Sequence, residues 1–350
     1  MKRIGFVGAG KHAQCIHIPN YAALANCQVV AIADADADLA RRVAARLHIP
    51  RSYGSHAELL AGEKLDAVVV TLPETPMAET VIRDALLAKL PVCVEKPLAW
   101  SVPSGARLVE LAKKQRTPLF VGYHKRSDPA AVYAKNQIGH FVRTGELGAI
   151  KYARISVSLA GDWIANGYCG ALKGCAAIPA QEFPPEDADG MSAVAKKAFS
   201  SIAGTESHQF DLMRYVLGHS YRIAYADPKG VLVAIESEKG VPGVIEFTPY
   251  ASTKDWREYA MVCFERGYVR VDFPAPLACN RAGTVEIFRD DGGTATPLTT
   301  RPVFPARSAM FAQAENFLAA LDGQTTPLCP AAEALEALVV ARDWAMRLCP

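Results

Sequence analysis

The chain has 350 residues, half of them hydrophobic and about a fifth charged, with 38 Lys and Arg against 36 Asp and Glu. A formal charge of +2 is too small to recruit nucleic acid or an anionic membrane surface, and no apolar run approaches the roughly 18 residues that a membrane span needs. The length exceeds what one hydrophobic core usually serves, which implies two domains, each with a core of its own.

The opening MKRIGFVGAG passes directly into a strand and a glycine turn and lacks the pattern of a secretory leader, so a cytoplasmic protein is expected. From Lys2 to Gly122 the apolar runs RIGFVG, VVAIAD, DAVVVTL, PVCVE and PLFVGY alternate with amphipathic stretches. Near-continuous apolar strands separated by helices are the mark of a parallel sheet buried on both faces, and residues 1–122 are predicted to form a doubly wound α/β domain of Rossmann type. Ser55 and Glu58 have the spacing of a capping box and predict a short helix there.

The pattern then changes. A helix is predicted from Ala130 to Thr144, followed by longer alternating strands in IKYARISVSL, GVLVAIES, GVIEFTPY, REYAMVCFE and GYVRVDFP. Residues 123–350 are therefore expected to form an α+β domain on a large, open, mostly antiparallel sheet. Gly161 to about Ala203 reads as irregular and is too long for a simple connection. Two helical patterns, Arg307 to Leu321 and Ala331 to Leu348, close the chain, the last expected to pack back on the first domain. The nine cysteines are odd in number and contain no CxxC pair. They read as reduced, mostly buried thiols that build neither a disulfide framework nor a metal site.

Gly8-Ala9-Gly10-Lys11-His12-Ala13 follows the first strand and opens a helix, which is where a GxGxxA fingerprint works. Gly8 permits the tight turn, Gly10 leaves room for a pyrophosphate beside backbone N–H groups, and Ala13 lets helix and strand pack closely. Asp34 ends the second strand at the ~20-residue distance where an acidic side chain meets the adenosine ribose hydroxyls. A carboxylate there repels a 2′-phosphate, so NAD is favoured, while Arg41 and Arg42 keep NADP possible. The plainer role for Asp34 is to cap the helix starting near Asp36.

The segment Val94-Glu95-Lys96-Pro97-Leu98-Ala99, together with the GxGxxA turn, Asp34, the stretch from Pro73 to Glu95, GYHKRSDP, TGELGAIKYARIS and SHQFDLMRYVLG, closely resembles the Gfo/Idh/MocA family. That family contains glucose-fructose oxidoreductases and inositol dehydrogenases. The resemblance implies NAD(P)-dependent oxidation of a secondary alcohol on a sugar, polyol or sugar derivative, by a homodimer or homotetramer. It places Lys96 beside nicotinamide and substrate as the first catalytic candidate, with Pro73 and Glu95 joining Gly8, Gly10, Lys11, His12, Ala13 and Asp34 around the cofactor. Physics points the same way, because Lys96 leaves the C-terminal end of a parallel strand, where ligands bind.

His208, in the family's HxxD stretch, is the second catalytic candidate, suited to take a hydroxyl proton. Asp211 shares its helix face and is a candidate to orient the imidazole or bind substrate. Taken alone, a single His before an apolar helix is more often structural. Inositol dehydrogenase-like members carry an Asp four residues before this His, and here that position is Gly204. Tyr123 and Lys125 are candidates for substrate oxygens, while Arg126 and Asp128 read equally well as structural ties. Trp163 and Tyr168 are candidate apolar faces for a sugar ring. Two other activities share this sequence pattern: a glycoside-cleaving enzyme that retains and re-reduces its NAD, and a non-catalytic NAD(P)-binding sensor or regulator.

Overall fold

A computed structural model describes every residue except 166, 169, 176–183, 185–188, 294 and 350. The chain divides into two compact units, one of residues 1–123, 166–190 and 310–338 and one of residues 124–165, 191–309 and 339–350.

The apolar runs of the first unit have no polar face to give to water, and they form the strands of a sheet covered on both sides. In chain order it holds β1 Lys2–Val7, α1 Ile18–Ala22, β2 Cys27–Ala33, α2 Ala37–Arg46, β3 Arg51–Tyr53, α3 His56–Gly62, β4 Ala67–Val70, α4 Pro76–Leu87, β5 Val92–Val94, α5 Val102–Gln115 and β6 Leu119–Val121. Strands β3-β2-β1-β4-β5-β6 lie side by side in parallel, and Cys329–Pro330 adds an antiparallel edge beside β6. This order reverses direction at β1, the point where doubly wound sheets open a ligand crevice. Ser55 caps α3 by accepting from Glu58 N at 3.2 Å, but the Glu58 carboxylate reaches Gly54 N at 3.0 Å, one residue short of closing the box. Phe317, Leu318 and Leu328 join Ile4, Phe6, Ile32 and Val69 in the core, so this unit is finished by residues from late in the chain.

The second unit has a 310 turn at His124–Ser127, then α6 Pro129–Thr144, β7 Ile150–Val157, α7 Ala193–Gly204, α8 Ser207–Leu217, β8 Tyr221–Ala226, β9 Leu232–Ser237, β10 Pro242–Phe247, β11 Glu258–Phe264, β12 Gly267–Phe273, β13 Thr284–Arg289 and β14 Leu298–Thr300. Its sheet runs β14-β13-β12-β11-β7-β10-β9-β8, antiparallel everywhere except between β7 and β10. Burial alternates along β11, with Glu258, Ala260, Val262 and Phe264 inward and Tyr259, Met261 and Cys263 on the other, half-buried face. Helices α6 and α8 pack on the sheet. Trp344 stacks on Phe247 at 4.8 Å and meets Phe210 edge-on at 5.6 Å between ring centroids.

Three expectations change. The stretch expected to be irregular as far as Ala203 ends in a regular helix, α7, whose Ser192 cap accepts from Ala195 N at 3.2 Å and whose Ala195, Phe199, Ile202 and Ala203 form one buried stripe. The short edge strands β3, β14 and Cys329–Pro330 escaped the sequence pattern because, unlike the equally short β5 and β6, they carry no apolar run. Of the eight described cysteines only Cys27, Cys93 and Cys329 are buried, while Cys175 and Cys279 are exposed. Burial pushes the Cys27 thiol up to about 11 and the Cys93 thiol up to about 12, so both stay protonated. Among the described residues no helix is long and apolar enough to cross a membrane.

Asp128 caps α6 from a nearly enclosed position, accepting from Ala130 N at 2.8 Å and from Gly283 N at 3.0 Å. Burial raises its carboxyl from 3.8 to about 6, against the lowering effect of these backbone donors. A folded-state pKa above the unfolded value means stability is fully present below about pH 4 and declines as pH rises through about 6, by about 3 kcal/mol from this group. Urea denaturation across pH 4 to 7 is expected to show that decline in the native chain and a flatter profile in Asp128→Asn. Parallel profiles would remove Asp128 as its source.

Candidate active site

The C-terminal ends of the central strands lie in register: Val7 pairs with Val70, Val70 with Val94 and Val94 with Val121. The next row, Gly8, Thr71, Glu95 and Gly122, therefore forms the rim of the sheet. Gly8 has φ +105°, and a Cβ there would sit 2.7 Å from Thr71 O, so only glycine turns here without strain. Nothing lies within 4 Å of a Cβ position at Gly10, and Ala13 is fully buried. Asp34 accepts from Ala9 N at 2.7 Å and from Asp36 N at 2.8 Å, which fixes its carboxylate at the lip of the turn. The capping of α2 falls to Asp36, accepting from Leu39 N at 3.0 Å. An open approach at Gly10, a helix N-terminus and a fixed carboxylate fit the pyrophosphate and ribose of a dinucleotide. Lys11 and Pro73 lie exposed on the same rim.

Beside Gly8 the rim carries a polar cluster that the sequence pattern did not reveal. His17 Nε2 lies 2.6 Å from Glu95 Oε1, and His12 Nε2 lies 3.4 Å from the same oxygen. The other Glu95 oxygen accepts from Lys96 N at 3.2 Å, and a Cβ at Gly122 would come within 3.2 Å of Oε1. His12 and His17 are five residues apart, which on an α-helix of 3.6 residues per turn places them about 140° apart. Residues Ala13–His17 instead form a π-turn, with Ile18 N–H reaching Ala13 O. The extra residue brings both imidazoles to one side, their centroids 4.9 Å apart. Burial pushes the His17 imidazole down, against the hydrogen bond and charge of Glu95. Burial would raise Glu95, but the charge of His12 and the hydrogen bonds of both histidines outweigh it, and the carboxyl lies well below its ordinary range. Lys96, half-buried, follows this clamped residue, and the Lys96–Pro97 peptide bond is cis.

Residues 167–168 and 170–175 belong to the first unit and bond to its fingerprint helix and α2. Tyr168 Oη lies 3.0 Å from His12 Nδ1, and burial pushes its phenol up to about 12, so it acts as a neutral hydroxyl. Gln14 holds Leu172 through both ends of its amide, donating to Leu172 O at 3.0 Å and accepting from Leu172 N at 2.8 Å. Arg46 donates to Gly170 O, Arg42 to Lys173 O at 3.0 Å, and Cys175 N to Asp36 Oδ2 at 2.9 Å. These bonds make the segment a strap over the start of α2 and the fingerprint helix. Tyr168 thus joins the histidine cluster through its hydroxyl.

In the second unit, His208 on α8 is half-buried, its ring 5.1 Å from that of His124. Asp211 accepts from Arg126 Nε at 2.9 Å and Nη2 at 2.7 Å, both residues nearly fully buried. Lys125, 4% exposed, pairs with Glu258 at 3.4 Å. Glu258 also accepts from Gln209 Nε2 at 2.7 Å and Trp256 Nε1 at 3.0 Å. Sequence reasoning passed over Glu258, although a carboxylate on the inward face of an alternating strand is an unusual placement that asks for an explanation. Trp163 is 39% exposed, with its carbonyl accepting from Leu277 N at 3.1 Å. Tyr123, assigned to the first unit, is 2% exposed.

A doubly wound sheet with a GxGxxA rim and a fixed carboxylate at the end of the second strand is a dinucleotide-binding type of fold. Residues 2–123 match the profile of the GFO_IDH_MocA family, described as "Oxidoreductase family, NAD-binding Rossmann fold". Over residues 2–123 the chain is thus similar to the Gfo/Idh/MocA oxidoreductase family. It is 34% identical over 149 residues, 43% of each chain, to an oxidoreductase of Rhizobium meliloti without assigned activity. With a myo-inositol 2-dehydrogenase of Thermotoga maritima it shares 26% identity over 244 residues, 70% of this chain and 62% of the relative. The chain thus spans less than two thirds of these relatives. The crystal structure of a probable dehydrogenase from Thermotoga maritima shares the fold with a TM-score of 0.69 at 20% identity, covering 99% of this chain and 96% of the other.

Two measurements probe this arrangement. Arg126→Met leaves the Asp211 carboxylate buried opposite an apolar side chain and is expected to cost about 3–5 kcal/mol in denaturant titration, much of it recovered in Arg126→Met/Asp211→Leu. A loss below about 1 kcal/mol would show that the pair is not isolated from water. Gln14→Ala is expected to speed hydrogen exchange at the Leu172 amide about five- to tenfold. Unchanged exchange would mean that the other bonds hold the strap alone.

Proposed function

We propose that the chain is an NAD-dependent dehydrogenase that moves hydride between a secondary alcohol of a sugar, polyol or sugar derivative and nicotinamide. The observation that carries this reading is the placing of the Glu95-Lys96-Pro97 turn in register with the Gly8 turn along one rim of the sheet. Bound nicotinamide supplies the hydride acceptor. Lys96 donates a hydrogen bond to the substrate oxygen and polarises it. His208 takes the hydroxyl proton as the carbon gives up its hydride. Asp211, already committed to Arg126, holds the start of α8 and so positions His208 rather than relaying its proton. Lys125, Tyr123 and Trp163 are proposed to contact substrate.

NAD is proposed over NADP because Asp34 presents a fixed negative charge to the ribose. Arg41 and Arg42 both pair with Asp38, at 2.6 and 2.7 Å, so neither is presented to a 2′-phosphate. The strap favours a second reading, in which NAD is retained and re-reduced in each cycle of glycoside cleavage, since it closes over the fingerprint helix. The half-buried outer face of the second sheet supports a homodimer or homotetramer.

The test is incubation with NAD or NADP and a panel of inositols, aldoses, sugar acids and glycosides, following nicotinamide absorbance and sugar products. Net NADH with one substrate class, reduced at least about 100-fold in kcat by Lys96→Ala with NAD affinity little changed, is the expected result. Product without net NADH would select the closed redox cycle. Cofactor binding without product from the panel would favour a sensor, and equal losses of turnover and NAD binding in Lys96→Ala would remove Lys96 from the chemistry.

A further inference from the structure

We propose that His12, His17 and Glu95 form a binding site for a borderline divalent transition ion of the Zn2+ class, a property separate from the proposed hydride transfer. Their ligand atoms, His12 Nε2, His17 Nε2 and Glu95 Oε1, all lie within 4.8 Å of one another, and this is the one such group among the described residues. Two imidazoles and a carboxylate suit Zn2+ or Co2+, whereas Mg2+ and Ca2+ prefer all-oxygen sets.

The geometry is close to what the ion requires. Zinc bonds of 2.0–2.2 Å in a tetrahedron separate neighbouring ligand atoms by about 3.4 Å. His12 Nε2 already stands 3.4 Å from Glu95 Oε1, and the 2.6 Å of the His17 pair opens to this distance with a shift of under about 1 Å. The π-turn is the device that makes the site, since ordinary helical geometry would turn His12 and His17 to different sides. Outer partners are in place too. Tyr168 Oη at 3.0 Å from His12 Nδ1 orients that ring with Nε2 toward the carboxylate, and the Lys96 amide holds the second Glu95 oxygen. Absence of a side chain at Gly122 leaves the carboxylate room to turn. Three protein ligands leave one position open, and His12, with its side chain 24% exposed, gives the ion access from solvent. Bound here, the ion ties the fingerprint turn to the residue before Lys96.

The experiment titrates Co2+, then Zn2+, into the full chain stripped of metal and nucleotide, with the exposed Cys175 and Cys279 alkylated beforehand to remove thiolate competition. Stoichiometric binding is expected, with the intense visible bands of tetrahedral Co2+ bleached by Zn2+. His12→Ala, a change on the solvent side of the cluster, is expected to weaken binding at least about tenfold, and Tyr168→Phe, which keeps the ring, about tenfold. Circular dichroism verifies that each variant is folded. Absence of saturable visible bands, or affinity unchanged in both variants, would overturn the site. No nicotinamide is used, so the result stands apart from the outcome of the substrate panel.

Discussion

A carboxylate largely withdrawn from water at the rim of a parallel sheet cannot remain charged without close donors, and His12, His17 and the Lys96 amide meet that need for Glu95. The fingerprint helix begins at Gly10, and an unmodified α-helix from there would turn His12 and His17 to different sides. The π-turn corrects this, delivering both imidazoles to one oxygen while the Lys96 amide takes the other. The glycine turn and the Glu95-Lys96-Pro97 turn, far apart in sequence, become parts of one hydrogen-bonded object. Rigidity at Glu95 passes through a single peptide bond to Lys96, whose position is thereby set by the same contacts that shape the cofactor turn.

The second unit solves the same problem with different partners. Arg126, from the turn before α6, meets Asp211 on α8 through two guanidinium nitrogens, and Lys125, Gln209 and Trp256 converge on Glu258. Ion pairs taken out of water are not a strong source of stability, but removing one member is costly, so they select one packing among several. His208 therefore sits on a helix whose register is fixed from the next turn, while Glu258 anchors the first inward position of β11.

The sequence made the large elements legible because each had a long enough period to read. Strands of the first sheet appeared as unbroken Val and Ile runs, the second sheet as alternation, and the fingerprint as spacing. The edge strands β3, β14 and Cys329–Pro330 are as short as β5 and β6 but have no apolar run to mark them. Helix α7 was visible in principle through Ser192 and the Ala195, Phe199, Ile202 stripe, but the Gly- and Pro-rich residues before it drew it into the irregular stretch. Among candidate residues, Lys96 and Asp34 stood out through their place at strand ends. His17 did not, since five-residue spacing has no meaning until a π-turn is known, and the bond from Tyr168 to His12 was hidden because nothing local predicts a return to the fingerprint helix.

The core of the dinucleotide unit draws on Leu172 from the strap and on Phe317, Leu318 and Leu328 from the helix and edge near the end of the chain. Phe317, Leu318 and Leu328 lie beyond the entire second sheet in sequence. During synthesis, the first strands leave the ribosome long before the residues that seal them, and the exposed Val and Ile surface must wait for about two hundred further residues at about 5–20 per second. The unit that comes first in the sequence is thus among the last to be closed, and it is not a cassette that can be cut out at residue 123 and grafted elsewhere with its interior intact.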